Sequence, residues 1–286
     1  MARIGVIGGS GLYKIEGMEI KEKKRINTPF GRPSGEFVLG RLEGKDVVFL
    51  PRHGVGHSIN PSGINYRANI YGMKELGVER VISVTACGSL REELAPMHFV
   101  IPLQFVDRTN SSRQNTFFED GIVAHISFAH PVCEDLAKIA YDSARDSGIA
   151  AHLGGTYLNM EGPQFSTLAE SNLYRKWGMD IIGMTNMTEA RLAREAEMCY
   201  VSLAAVTDYD CWHETADSVT VEMIMENLGK NVTNAKKILK NMIGRLDGAR
   251  SCACKDALKY AVITDLKKVP VHTKKKLALI MGRHMK

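Results

Sequence analysis

The chain has 286 residues, 44% of them hydrophobic and 24% charged, an ordinary globular composition with enough length for a sizeable core. Its formal charge is +5, and much of the basic excess sits at 265–286 (DLKKVPVHTKKKLALIMGRHMK). No arginine stripe interleaved with aromatics runs through the body, which argues against nucleic acid as a partner, and no run is long and apolar enough for a transmembrane helix.

The N-terminal stretch MARIGVIGGSGLY has one basic residue and a short apolar run broken by glycines, so no signal peptide is expected and the expected location is the cytoplasm. Residues 3–7 (RIGVI) read as a buried strand running into the turn Gly8-Gly9-Ser10-Gly11. KDVVFLPRHG reads as a second strand, and NYRANIYGMKELGV as a helix closed by Gly77. ERVISVTACGSL and HFVIPLQFVDRT read as one strand each, and HPVCEDLAKIAYDSARDSGI as an amphipathic helix. GGTYLNMEGPQF is strand then loop, TLAESNLYRKWG a helix, and DIIGMTNM a short strand leading into the helix TEARLAREAEM. CYVSLAAVTDYD is a strand, and a long helical stretch follows from SVTVEMIMENL to NMIGRL. Strands alternating with helices predict an α/β fold with a largely parallel central sheet flanked by helices. No repeat, linker or composition break occurs before about Asp265, which predicts one domain over 1–264 and a solvated basic tail over 265–286.

In such sheets ligands bind beyond the carboxyl ends of the strands, and polar groups collect there: the turn at Ser10, then Arg52-His53, Thr85-Ala86, Met184-Thr185 and Asp208-Tyr209-Asp210. The first turn misses the dinucleotide pattern G-x-G-x-x-G, because Leu12, Tyr13 and Lys14 follow Gly11, and no acid closes a βαβ unit downstream. A glycine-rich anion-binding turn fits better. Arg52 suits a bidentate phosphate contact, and His53 adds a second donor. Thr85, the amides near Gly88, and Thr185 add more donors. These groups suit one free phosphate, with no Walker lysine and no metal carboxylates, and free phosphate as a reactant points to phosphorolysis. Asp208 and Asp210 pose a separate question, because a buried carboxylate must be paired, hydrogen-bonded or shifted in pKa; a plain turn at the strand end is the alternative.

Six cysteines in a chain of this length do not make a disulfide scaffold. Cys252 and Cys254 stand too close for a zinc knuckle and no CxxC pair completes one, so free thiols and no metal site are expected. His57, His98, His130 and His213 have no metal-ligand spacing either.

GVIGGSGLY, PRHGVGHSINPSGINYRANI, TACGSLREE, NMEGPQFST, GMTNMTEARLAREAEMCY and VTDYDCW, in that order, resemble the methylthioadenosine phosphorylases of the trimeric purine nucleoside phosphorylase family. The resemblance runs from residue 3 to about residue 228. It implies a single-domain, three-layer αβα fold with a mixed central sheet. It implies that Ser10, Arg52, His53, Thr85, Ala86 and Thr185 bind phosphate, that Met184 hydrogen-bonds the ribose through its backbone, and that Phe165 and Ser166 line the base pocket. Asp208, Asp210 and Ser166 form the implied catalytic set. In phosphorolysis the C1′–N9 bond loosens toward an oxocarbenium-like sugar while charge builds on the purine imidazole. A carboxyl in an apolar pocket keeps its proton, so Asp208 can donate toward N7 and accept from the 6-amino group. Asparagine there would suit a 6-oxo purine. Whether Asp208 acts directly or through Asp210, Ser166 or a water stays open.

The resemblance also places Val221 and Met225 near the 5′ substituent, where the alternative is a core-facing helix stripe shared with Ile224. His125 matches a position donated across a subunit interface, which implies a homotrimer or a hexamer of two trimers. The expected reaction converts 5′-methylthioadenosine to adenine and 5-methylthioribose 1-phosphate, in methionine and purine salvage. Inorganic phosphate is the co-substrate, with no metal or organic cofactor. The nearest alternative is a purine nucleoside phosphorylase acting on adenosine, inosine, guanosine or 5′-methylthioinosine. A non-catalytic nucleoside binder has no need of the phosphate residues, and an NAD-dependent oxidoreductase rests on the glycine turn alone. Thr188 replaces a family proline, which predicts a looser loop around Thr185. Cys252-Ala253-Cys254 resembles a C-x-C of archaeal relatives that forms disulfides, and Cys133 and Cys199 are a second candidate pair.

Overall fold

The structure is a computed structural model that describes residues 3–9, 12–110, 112–213 and 221–285, with the side chains of 221–225 outside the description. In β1 (Arg3–Gly8), Ile4 and Val6 enter one core and Ile7 the other. A strand apolar on both faces needs cover on both, and that requirement sets the layers. β4 (Lys45–Pro51), β5 (Val78–Ser89) and β11 (Cys199–Asp208) lie beside it in the parallel order β4-β1-β5-β11. β11 is buried at every position. On one face, α2 (Glu134–Asp146) and α5 (Val221–Arg245) bring Leu136, Ala140, Ile238 and Met242 against Ile4, Val6 and Val201. On the other, α1 (Tyr66–Glu75), α4 (Asn186–Glu195) and α7 (Ala278–Met281) bring Ile70, Leu192 and Ile280 against Ile7, Val48 and Tyr200. The result is a three-layer αβα fold.

Antiparallel pairs make the sheet mixed. β2 (Glu19–Lys24) and β3 (Phe37–Leu42) form an antiparallel edge beside β4. Sequence reading misses β2 because EIKEKK is exposed throughout and has no apolar face to reveal it. HFVIPLQFVDRT is two strands, not one. Pro102 cannot donate to a ladder, and it separates β6 (Phe99–Ile101) from β7 (Gln104–Arg108). β6 pairs with β11 and with β8 (Ala151–Leu153), whereas β7 pairs with β9 (Thr156–Met160). β10 (Ile181–Gly183) joins β9 to the carboxyl end of β5. α3 (Leu168–Lys176) starts at a capping box of Thr167 and Glu170.

The C-terminal stretch is not a solvated flank. Val269, Leu277, Ile280 and Met281 are buried in the same core as α1. Two of its cations are partnered: in α6 (Val271–Lys276), Lys276 pairs with Glu119 at 3.0 Å and Asp120 at 2.9 Å, and beyond α7 Arg283 pairs with Glu197 at 2.8 Å. The lysine-rich composition concealed an apolar anchor, LALIM, whose burial holds the segment down.

Candidate active site

Strand β11 ends in a register shift between Val206 and Asp208, and beyond it Asp208 lies opposite Gly88 of β5. A bulge of this kind re-aims the side chain that follows it. Asp208 and Asp210 are 8% and 6% exposed. Asp208 Oδ1 accepts from the Asp210 backbone N–H at 2.8 Å, and the Thr207 hydroxyl lies 2.6 Å from Oδ2 and 3.2 Å from the Cys87 carbonyl. Thr207 has one proton for two acceptors. The shorter contact is the one to Asp208 Oδ2, so the Thr207 hydroxyl donates mainly there. Burial pushes the Asp208 pKa up, against the Thr207 and Asp210 hydrogen bonds that lower it.

Asp210 has φ +52°, a left-handed conformation that aspartate tolerates. Burial raises its pKa too, and the Ser171 and Ser166 hydroxyls pull it back. Its Oδ2 is buried without a hydrogen-bond partner among the described residues. Such an oxygen is costly unless a donor arrives. The segment beyond is pinned by Trp212, whose indole N–H donates to the Ser89 carbonyl at 2.8 Å while Arg175 stacks 3.5 Å from the ring centroid.

Room for the Asp208 carboxyl comes from Gly88, where a Cβ would lie 2.9 Å from Oδ1 and 3.4 Å from the Asp210 Cβ. Gly88→Ala is therefore expected to displace Asp208 and lower kcat by about 10²-fold, with a smaller change in KM for phosphate. Steady-state kinetics in both substrates checks this, and an unchanged kcat would mean that the carboxylate position is not critical.

Of the residues expected to bind phosphate, Thr85 and Ala86 lie on β5, the strand beside β11. Thr85 is half-buried and Ala86 exposed, three and two positions before Gly88 on β5, about 7–10 Å along the strand from Asp208's partner. That span suits a sugar between an anion and a base. Thr185, 3% exposed, is the N-cap of α4, and the buried Tyr157 hydroxyl lies against both Thr85 and the Thr185 backbone. Thr188 occupies the first turn of α4 and is buried, so it stands in the helix rather than in the loop itself. Helix N-termini tolerate proline because their N–H groups lack intrahelical partners, and they tolerate its replacement equally well.

Arg52 departs from the bidentate phosphate contact expected of it. It is 2% exposed, and its guanidinium is committed to the Glu189 carboxylate, the Ser83 hydroxyl at 2.6 Å and the Val84 carbonyl at 3.0 Å. Burial opposes its charge, and Glu189 overrides that and holds its pKa above the usual arginine value. What Arg52 can offer an anion is its field and a remaining N–H, not a fork. His53 differs in a similar way. Its Nδ1 donates to the Ile59 carbonyl at 2.8 Å, and burial, reinforced by the Arg52 charge, pushes its pKa down to about 4. At neutral pH it is uncharged, and Nε2 is an acceptor rather than a second donor.

Met184 is half-buried, and its carbonyl accepts from Arg113, which is itself 5% exposed and also bound to Glu161 at 2.8 Å. Phe165 is 51% exposed, and Ser166 is half-buried beside Asp210. His125 is exposed on a segment bridged to Val262 through Ala124, and no contact among the described residues ties it to Asp208 or Thr185. Ser10 and the side chains of Val221 and Met225 lie outside the described residues. Glu189 and Arg113 were missed in sequence. Glu189 meets Arg52 across 137 positions of the chain, a pairing with no local signature.

Residues 3–244 match the sequence profile of the Phosphorylase superfamily. The S-methyl-5′-thioadenosine phosphorylase of Geobacter sulfurreducens is 57% identical over 99% of both chains. That of Koribacter versatilis is 54% identical over 99% of this chain and 97% of its own. Among solved structures, a methylthioadenosine phosphorylase from an Antarctic soil metagenomic library matches with TM-score 0.93 and 46% identity, covering 98% of each chain. The Schistosoma mansoni methylthioadenosine phosphorylase in complex with adenine matches with TM-score 0.86 and 36% identity, covering 92% of this chain and 99% of that one.

Proposed function

The chain belongs to the phosphorylase superfamily, and from that premise we propose that it cleaves 5′-methylthioadenosine with inorganic phosphate, releasing adenine and 5-methylthioribose 1-phosphate. The observation that carries this reading is the buried pair Asp208 and Asp210 at the end of β11, beside Thr85 and Ala86 on the adjacent strand. Neutral Asp208 donates its proton to N7 as charge leaves the sugar, and its other oxygen accepts from the 6-amino group. Asp210, buried two residues on, offers the second carboxylate to the base edge. Ser10, Thr85, Ala86 and Thr185 hold the phosphate in the field of Arg52, and His53 Nε2 accepts a hydrogen bond from the O–H of hydrogen phosphate, which keeps its proton. Met184 lies under the ribose, with Phe165 and Ser166 along the base. Val221 and Met225 form the apolar wall for the methylthio group, closed by His125 from a neighbouring subunit of a trimer or hexamer. The reaction uses no metal or organic cofactor, and the setting is cytoplasmic salvage.

The test is release of free base from 5′-methylthioadenosine, adenosine and inosine, each with and without phosphate. The expected result is phosphate-dependent adenine release from methylthioadenosine, adenosine slower by about 10–200-fold because an apolar pocket discriminates modestly, and inosine inert. Preferential cleavage of inosine would overturn the role given to Asp208. Failure with all three would overturn the activity.

A further inference from the structure

Four of the six cysteines, remote in sequence, meet at one point. Cys133 is the N-cap of α2, Cys199 opens β11, and Cys252 and Cys254 lie at the short 3-10 turn after α5. Their sulfur atoms all lie within 4.8 Å of one another, with Cys199 and Cys252 at 3.3 Å, and all are free thiols. Cys133, Cys199 and Cys254 are buried, and Cys252 is half-buried at the edge. Four sulfurs around zinc at about 2.3 Å stand about 3.8 Å apart, so this cluster needs only side-chain adjustments of an ångström or less to close on an ion. C-x-C spacing said nothing of this in sequence, because the other two ligands come from a helix start and a strand start more than a hundred positions and some fifty positions away.

We propose that Cys133, Cys199, Cys252 and Cys254 bind one zinc ion as a closed tetrathiolate site. Soft thiolates select zinc over magnesium or calcium, and four protein ligands leave no open position for a substrate, so the site is structural. Zinc displaces the four thiol protons to solvent, and the α2 N-terminus offsets part of the negative charge left at Cys133. The ion would tie the segment after α5 to the starts of α2 and β11. Asp208 lies at the opposite end of β11, about 30 Å along the strand, so zinc would hold the strand that carries the acid without touching the chemistry.

The experiment uses the full chain purified under reducing conditions from zinc-supplemented cells. Elemental analysis should find one zinc per chain, and the apo chain titrated with cobalt should develop thiolate-to-cobalt charge-transfer bands that zinc bleaches. Chelation should lower the unfolding midpoint by about 5–10 °C. The double substitution Cys252→Ser with Cys254→Ser should abolish zinc retention. Absence of zinc and of the cobalt bands after reconstitution, or zinc retained by the double variant, would each overturn the site, as would a chain isolated in parallel without reductant that is lighter by four hydrogens and therefore carries two disulfides. The cobalt titration reads the unmutated chain, so it decides the matter even where the variant does not fold.

Discussion

Asp208→Asn is expected to lower kcat/KM for 5′-methylthioadenosine by about 10²–10⁴-fold and to shift preference toward inosine. Asparagine cannot give a proton to N7, but its amide can donate to a 6-oxo group while its oxygen accepts from a protonated N7. Side by side kinetics on the two nucleosides measures the switch, and undiminished turnover of methylthioadenosine would move the proton donor to Asp210 or to water. In the parent, kcat/KM should fall as pH rises through the Asp208 pKa, and the variant should lack that limb. The same substitution bears on stability. The folded-state pKa of Asp208 lies above the usual 3.8, chiefly through burial, so the folded chain binds its proton more tightly than the unfolded chain does. Stability is therefore lost as pH rises from the unfolded value through the folded one. The asparagine variant escapes that loss and should unfold no earlier than the parent at neutral pH, the pattern of an acid kept for function at a cost in stability.

Glu189→Ala is expected to destabilise the fold by about 3–5 kcal/mol and to remove phosphate-dependent activity with it. Glu189 is 2% exposed and accepts from Arg52, from Ser83 at 2.8 Å and from the Tyr200 hydroxyl at 3.0 Å. Truncation leaves a buried guanidinium without its counter-charge and two hydroxyls without an acceptor. Denaturant unfolding measures the loss, and a change within about 0.5 kcal/mol would mean that water or a rearranged side chain satisfies Arg52. Glu189→Gln separates the structural part from the functional one. It keeps the shape and one acceptor but leaves Arg52 uncompensated, so a bound phosphate becomes the nearest counter-charge. KM for phosphate is then expected to fall; an unchanged KM would show that the Arg52 field does not reach the anion.

What could be read from residue order was everything that depends on near neighbours along the chain. Short continuous apolar, β-branched runs marked β1, β4, β5 and β11, because a strand buried on both faces must be apolar on both. Gly77, with φ +76°, marked the end of α1. The motifs at strand ends marked Thr85, Thr185, Asp208 and Asp210, because a parallel sheet gathers its carboxyl ends on one edge. The exposed edge strand β2 and the anchored C-terminal helix escaped, since charge composition hid the one and the other needed a partner surface to be recognised as buried. Packing alone settled what lies across the sheet: that Arg52 turns inward to Glu189, that His53 becomes a neutral acceptor, that Gly88 yields its volume to Asp208, and that four cysteines converge. Local sequence chooses the backbone path of each element, whereas the charge state and reach of a buried side chain depend on which distant groups remove its water and replace its hydrogen bonds.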